Sequence, residues 1–461
     1  MKTKFFPLFA FLLGPFCVSA QRPTAAAGKR TDDYIRVMMA KKHIPAVSVA
    51  VLKEGKILKM QSYGMANLET HTPASSQTLY QLGSISKQFL ATAVMTLQQG
   101  GRINLDSPIN AYLDSLPSAW QKITVRNLLS HTSGLVRDDP DFDPLKVRPL
   151  SEEIKAIYSL RLDFDPGAQW DYSNMNYYVL AAIIEKIVGT NWAAWISQNV
   201  FEPAGMSHTR TNSWTDLIPN RADGYEWTHD SWQNASIRLA LRPSGAFVST
   251  IADLAKWDNE LYTDKLLTTS SKNQMWTAMK LNNGDATHYG FGWFIDSINN
   301  HLRIHHDGGV PGFRSDFERY MNDGLSVIVL TNSGGANAER MAQNVAGFFM
   351  PALMPQPAKA ISDTEPTMTA RVKSFIGRLQ QHANIDSSTL SPELAKNYNI
   401  DGARRMADAI SGKISSVILI SRREKNDRRT YRYRLDYGYD YVVLVIQFNS
   451  QNKITGYGIA D

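Results

Sequence analysis

Strand-like segments sit at both ends of residues 30–350, and helical patterns fill the middle; this split constrains how the chain can close. Residues 44–63, IPAVSVAVLKEGKILKMQSY, form two β-rich runs around the turn Lys53-Glu54-Gly55. Strand character returns at 290–295, 302–306, Phe313–Tyr320 and Leu325–Thr331, with Asn322-Asp323-Gly324 turning between the last two. In between, Phe89, Leu90, Ala93, Val94 and Leu97 share one helical face, stopped by Gly100-Gly101. Helical patterns also cover Val125–Leu129, 177–188 and 252–262, and one at 336–349 closes this half. Strands from the two ends then pair with each other. The pattern predicts an antiparallel sheet flanked by helices, with an inserted helical region, and the cleft between such parts is a natural place for a site.

A chain of 461 residues leaves room for a second domain. Pro351, Pro355, Pro357 and Pro366 mark a linker over 351–368, and 369–461 reads as a small α+β unit. In that unit we expect helices near 370–381 and 402–410, then strands at 415–421, 431–437 and Tyr441–Phe448. Its basic stretch RREKNDRRTYRYR (422–434) reads as a solvated hairpin face rather than a binding site. At the other end, Lys2 and Lys4 precede an apolar run over 5–16, and Val18-Ser19-Ala20 supplies small residues. This predicts a signal peptide over 1–20 and an exported protein, periplasmic or secreted. The single cysteine, Cys17, lies inside it, so the mature chain would have no disulfide, thiol nucleophile or thiolate metal site. Its formal charge falls from +6 to +4 without Lys2 and Lys4, which does not indicate nucleic acid. No later stretch is apolar enough for an integral membrane helix.

The chemistry centres on Tyr80 to Phe89, YQLGSISKQF. Gly83 permits a tight turn and a helix starts near Ser84. The Ser84 N–H is thus an unpaired helix-start donor, and its hydroxyl sits at the positive end of the dipole. Lys87 lies one turn on, on the same face. Ser-x-x-Lys is a cheap pattern, recurring at Ser450 to Lys453, and an N-cap serine beside an exposed lysine explains it equally well. A lysine acting as base needs its pKa brought down from about 10.4, which disfavours its charged form by about 4 kcal/mol at neutrality. That demands a tight, mostly dry site with polar groups from distant segments. PGAQWDYSNMNY offers Tyr172 and Asn174. IHHDGGVPGF offers a strand with His306, Gly308 and Gly309, where a substrate can approach the backbone.

The ordered trio Ser84-x-x-Lys87, Tyr172-x-Asn174 and His306-x-Gly308 resembles the serine β-lactamase and penicillin-binding-protein superfamily. The likeness is to its class C-like branch, with family VIII carboxylesterases, D-aminopeptidases and DD-carboxypeptidases. ITVRNLLSHTSGL (123–135), EPAGMSHT (202–209), YGFGW (289–293) and HDGGVPGFRS (306–315) fit the same likeness, which spans roughly 30–350. It implies a β-lactamase/transpeptidase-like fold of α/β (α+β) class, with a hydrolase domain over 30–350. It also implies that Ser84 is acylated and that Lys87 and Tyr172 handle its proton, the true base being left open between them. Asn174 would orient substrate, and the N–H groups of Ser84 and Gly309 would form an oxyanion hole beside His306 and Gly308.

One departure bears on substrate. β-Lactamases begin the third motif with a lysine, whereas His306 is mostly neutral; it can hydrogen-bond Tyr172 but attracts a carboxylate weakly. This favours small esters or short D-configured peptides and amides over β-lactams. DD-carboxypeptidase and weak β-lactamase are the alternatives within this chemistry, and a sensor that stays acylated is the alternative outside it. No cofactor is expected. No metal is expected either, because His305 and His306 point to opposite faces and His-Glu-x-x-His is absent. The sequence also lacks Gly-x-Ser-x-Gly, which disfavours an α/β-hydrolase. His131 reads as a structural residue at a helix end, and Trp170 and Trp293 as core or acyl-pocket residues. The oligomeric state is not legible.

Overall fold

The computed structural model describes residues 21–460 apart from 144, 145, 147, 214, 236–241, 357, 382–384, 397–402, 405, 408, 409, 411, 412, 426, 427 and 438–440. The signal segment expected at 1–20 therefore lies outside the described residues, as do 402, 405, 408 and 409 of the helical stretch expected at 402–410, whose residues 403, 404, 406 and 407 are helical. The chain divides into two units between Met354 and Pro355.

In the first unit, a seven-stranded sheet runs in the order Thr72–Pro73, Lys56–Asn67, Ala46–Lys53, Leu325–Thr331, Phe313–Tyr320, His301–Val310, Phe294–Ile298. Every pairing is antiparallel, and the two ends of the unit meet at its centre in the register Val49↔Val329. Alternation decides which side each residue serves. Val47, Val49, Val51, Val327 and Val329 pack with Tyr34, Ile35, Met341 and Val345 of the helices Gln21–Lys42 and Ala338–Phe349. Ala50, Leu52, Ile304, Phe317, Ile328 and Leu330 face the other way, into a larger core with the helices Ser86–Gln99 and Met175–Val188.

One element was not anticipated and one expectation changes. Residues 21–30 form the first part of the Gln21–Lys42 helix, which buries Ala27, Thr31, Tyr34, Ile35 and Met38. Its polar composition hides an apolar stripe at helical spacing. The strand expected at 290–295 instead spans Phe294–Ile298, because Gly292 turns the backbone into the left-handed region (φ +76°) against the Lys87 carbonyl.

The second unit packs the helix Pro366–Gln380 on a four-stranded antiparallel meander: Ser416–Lys425, Arg428–Asp436, Tyr441–Phe448, Ile454–Ala460. Val372, Phe375, Ile376 and Leu379 meet Tyr433, Leu444 and Ile446 in its core. The Ile454–Ala460 strand was not expected, since two glycines interrupt its pattern. Pro366 opens the helix rather than closing a linker, its fixed φ suiting the first turn. Within the basic stretch, Arg422 pairs with Glu365 at 3.1 Å and Arg434 with Asp436 at 2.8 Å.

Candidate active site

Ser84 lies in a 3₁₀ turn, Gly83–Ile85, that runs directly into the Ser86–Gln99 helix. Gly83 has φ +54°, and a Cβ there would stand 2.7 Å from the Gly309 nitrogen. A Cβ on Gly308 would stand 1.9 Å from the Leu82 carbonyl. Glycine on both sides therefore lets the turn lie backbone to backbone on the His301–Val310 strand. Gly309 pairs with Arg314, one step from the Val310↔Phe313 pair that closes the hairpin. Alternation of the ladder turns the Gly309 amide away from that partner, towards Gly83 and Ser84. Ser84 is half-buried at the wall of a cavity of about 130 Å³, which Gly83, Gly309, Asn174, Arg242 and Ser244 also line. Ser86, two residues on, is fully buried and accepts the Phe247 N–H at 3.2 Å.

Lys87 is completely buried, and its ammonium nitrogen has three partners. It stands 3.1 Å from Ser84 Oγ, 2.9 Å from Asn174 Oδ1 and 3.0 Å from the Ser244 carbonyl. Burial lowers its pKa to about 7, with Asp307 and Asp138 opposing the shift only in part. The Tyr172 ring lies 4.7 Å from the same nitrogen. Burial pushes the Tyr172 hydroxyl well above its usual range, and the nearby Ser84 hydroxyl opposes that. The phenol oxygen is itself buried without a fully aligned hydrogen-bond partner.

A second layer holds these groups. Asn174 opens the Met175–Val188 helix and donates through Nδ2 to Asp138 at 2.9 Å, which leaves Oδ1 facing Lys87. His306 is fully buried; its Nδ1 donates to the Asp307 carbonyl at 2.7 Å, so Nε2 accepts the Tyr289 hydroxyl proton at 2.9 Å. Burial and then the Lys87 charge keep this imidazole neutral. His131 is buried with its ring 4.3 Å from that of Tyr172. Its Nδ1 accepts from Ser173 N–H at 3.2 Å and Asn176 Nδ2 at 3.0 Å, so it buttresses the phenol as a neutral ring. On the opposite face His305 lies 3.4 Å from Asp296 and 3.8 Å from Asp316. Burial alone would lower its pKa, but those carboxylates outweigh it and raise it to about 9.

Ser84, Lys87, Tyr172, Asn174 and Gly309 thus converge at or beside one cavity. His306 and Gly308 lie behind it: His306 bonds Tyr289 and not Tyr172, whose ring centroid is 6.0 Å away, and Gly308 gives the turn its close approach. Trp293 is a core residue, fully buried against Phe317. Sequence reasoning missed Ser244, Asp138 and the role of Tyr289. Tyr289 stood within the YGFGW phrase, but a backbone carbonyl such as that of Ser244 carries no residue-type signature. Among the described residues, no group of three or more His, Cys, Asp or Glu side chains is arranged to hold a metal ion.

Comparison with known proteins gives three findings. The sequence model of the Beta-lactamase family matches residues 31–348. Penicillin-binding protein 4* of Bacillus subtilis (strain 168) is 30% identical over 320 residues, 64% of this chain and 69% of that protein. Among solved structures, the octameric penicillin-binding protein homologue from Pyrococcus abyssi superposes with a TM-score of 0.66 at 19% identity, covering 94% of this chain and 95% of that one. The D-amino acid amidase from Ochrobactrum anthropi SV3 gives 0.63 at 23% identity, covering 72% and 99%.

Proposed function

Because the chain belongs to the beta-lactamase family, a family of serine hydrolases, we propose that it cleaves small esters or short, D-configured peptide or amide bonds through an acyl-enzyme on Ser84. One observation carries this reading. Two of the three Lys87 partners, the Asn174 and Ser244 oxygens, can only accept, so they hold two amine hydrogens. In the neutral amine the third direction is the lone pair, and it faces the Ser84 hydroxyl. Lys87 then takes the serine proton as Oγ attacks the acyl carbon. The developing oxyanion is met by the N–H groups of Ser84 and Gly309, each such donor contributing about 2.7–4 kcal/mol in the transition state. The leaving group departs with a proton passed through the Tyr172 hydroxyl, and water reverses these roles to release the acyl group. The protein would act outside the cytoplasm, after removal of the predicted signal.

The test is a panel of p-nitrophenyl esters, D-alanyl peptides and a chromogenic cephalosporin, with intact mass, on wild type and Ser84→Ala. Ester or D-peptide turnover that disappears in the variant is the expected result. Cephalosporin cleavage as the fastest reaction would replace this reading with a β-lactamase. A substrate-sized mass increase that persists on wild type would replace it with a non-turning-over sensor.

A further inference from the structure

The cavity beside Ser84 has one charged wall residue, Arg242. Its other polar side chains, Gln81, Ser84, Asn174, Asn212 and Ser244, are neutral. The Arg242 backbone is fixed by the 3₁₀ turn Pro243–Gly245, whose Gly245 N–H donates to the Arg242 carbonyl at 2.9 Å. The same turn supplies the Ser244 carbonyl to Lys87. The cation and the catalytic lysine are therefore tied to one short segment. The guanidinium lies on the Phe142 ring, 3.4 Å from its centroid. Its Nε is buried without a hydrogen-bond partner, and among the described residues no carboxylate pairs with the group. Glu153 feels its charge from the Leu150–Lys155 helix but keeps a buried oxygen of its own unpaired. A half-buried guanidinium with free donors at a cavity wall matches a planar anion held by two parallel hydrogen bonds.

We propose that Arg242 is a specificity-determining residue that anchors a free carboxylate on the substrate, so that the site selects esters or peptides carrying that carboxylate close to the scissile bond. The proposal rests on the reading of Ser84 as nucleophile. The small cavity, well under the roughly 300 Å³ of a drug-sized pocket, keeps the anion near the reacting carbonyl.

Full-length wild type, Arg242→Gln and Arg242→Lys are assayed on 3-carboxyphenyl acetate and phenyl acetate, and the ratio of kcat/KM values is divided by the ratio of alkaline hydrolysis rates. We expect a corrected ratio of at least about 10 in wild type, falling about tenfold in Arg242→Gln through KM and only partly in Arg242→Lys. A wild-type ratio near one, or a ratio unchanged in both variants, overturns the proposal; a purely structural role would slow both esters equally. Should Arg242→Gln not fold, the Arg242→Lys ratio decides. If wild type turns over neither ester and Ser84 gains no acyl mass, the hydrolase reading itself fails, a result distinct from lost selectivity.

Discussion

The three oxygens around Lys87 are not equivalent: only the Ser84 hydroxyl can change from acceptor to donor. Catalysis should therefore follow deprotonation of Lys87. With its pKa brought down to about 7, kcat/KM rises with pH through that value and then levels, and falls about tenfold per pH unit well below it. A profile that starts to rise only above pH 10 would assign the base to Tyr172 instead. Lys87→Arg keeps a cation that cannot deprotonate, so the acylation rate should drop by about 10²–10⁴ in stopped-flow, and overpacking of the buried site should cost about 1–3 kcal/mol of stability in calorimetry. Ser84, Lys87, Tyr172 and Asn174 were legible because each belongs to a spaced pair on one local element. Tyr289, Asp138 and Ser244 were not, since their roles arise only where remote segments cross.

The element that sets the oxyanion site is the contact between the Gly83–Ile85 turn and the His301–Val310 strand. Gly83→Ala would need both a strained positive φ and a Cβ 2.7 Å from the Gly309 nitrogen. We expect the two amides to part and kcat to fall about 10²–10³, the loss seen for one oxyanion donor, with secondary structure by circular dichroism retained. Tyr289→Phe removes the donor to His306 Nε2 and leaves a buried acceptor unpaired. That should lower stability by about 1–3 kcal/mol in chemical denaturation. Most strand positions were readable in advance because apolar, β-branched runs sit between turn residues such as Lys53-Glu54-Gly55 and Asn322-Asp323-Gly324. The Gln21–Lys42 helix was not, since lysines, arginines and threonines dilute its stripe.

At the level of the molecule, each of the two units holds a core of its own: among the described residues, Met368 through Ile454 supply that of the second. A chain ending at Met354 should keep a single cooperative melt and still acylate at Ser84, checked by calorimetry and intact mass. The antiparallel closure of the first unit followed from the split of strand and helix signals, whereas the last strand of the second unit escaped because its glycines blunt the pattern. His305 and His306 hold opposite protonation states on opposite faces of one sheet, a cation among acids and a neutral ring behind the cavity. Because strand faces repeat every second residue, inserting one residue upstream would send the cation inward and strand the acids without it. A single-residue length change here is tolerable only where a bulge absorbs it before His305, as the same sheet does between Val51 and Leu52, so engineered variants should accept exchange of letters in this segment more readily than single-letter gaps.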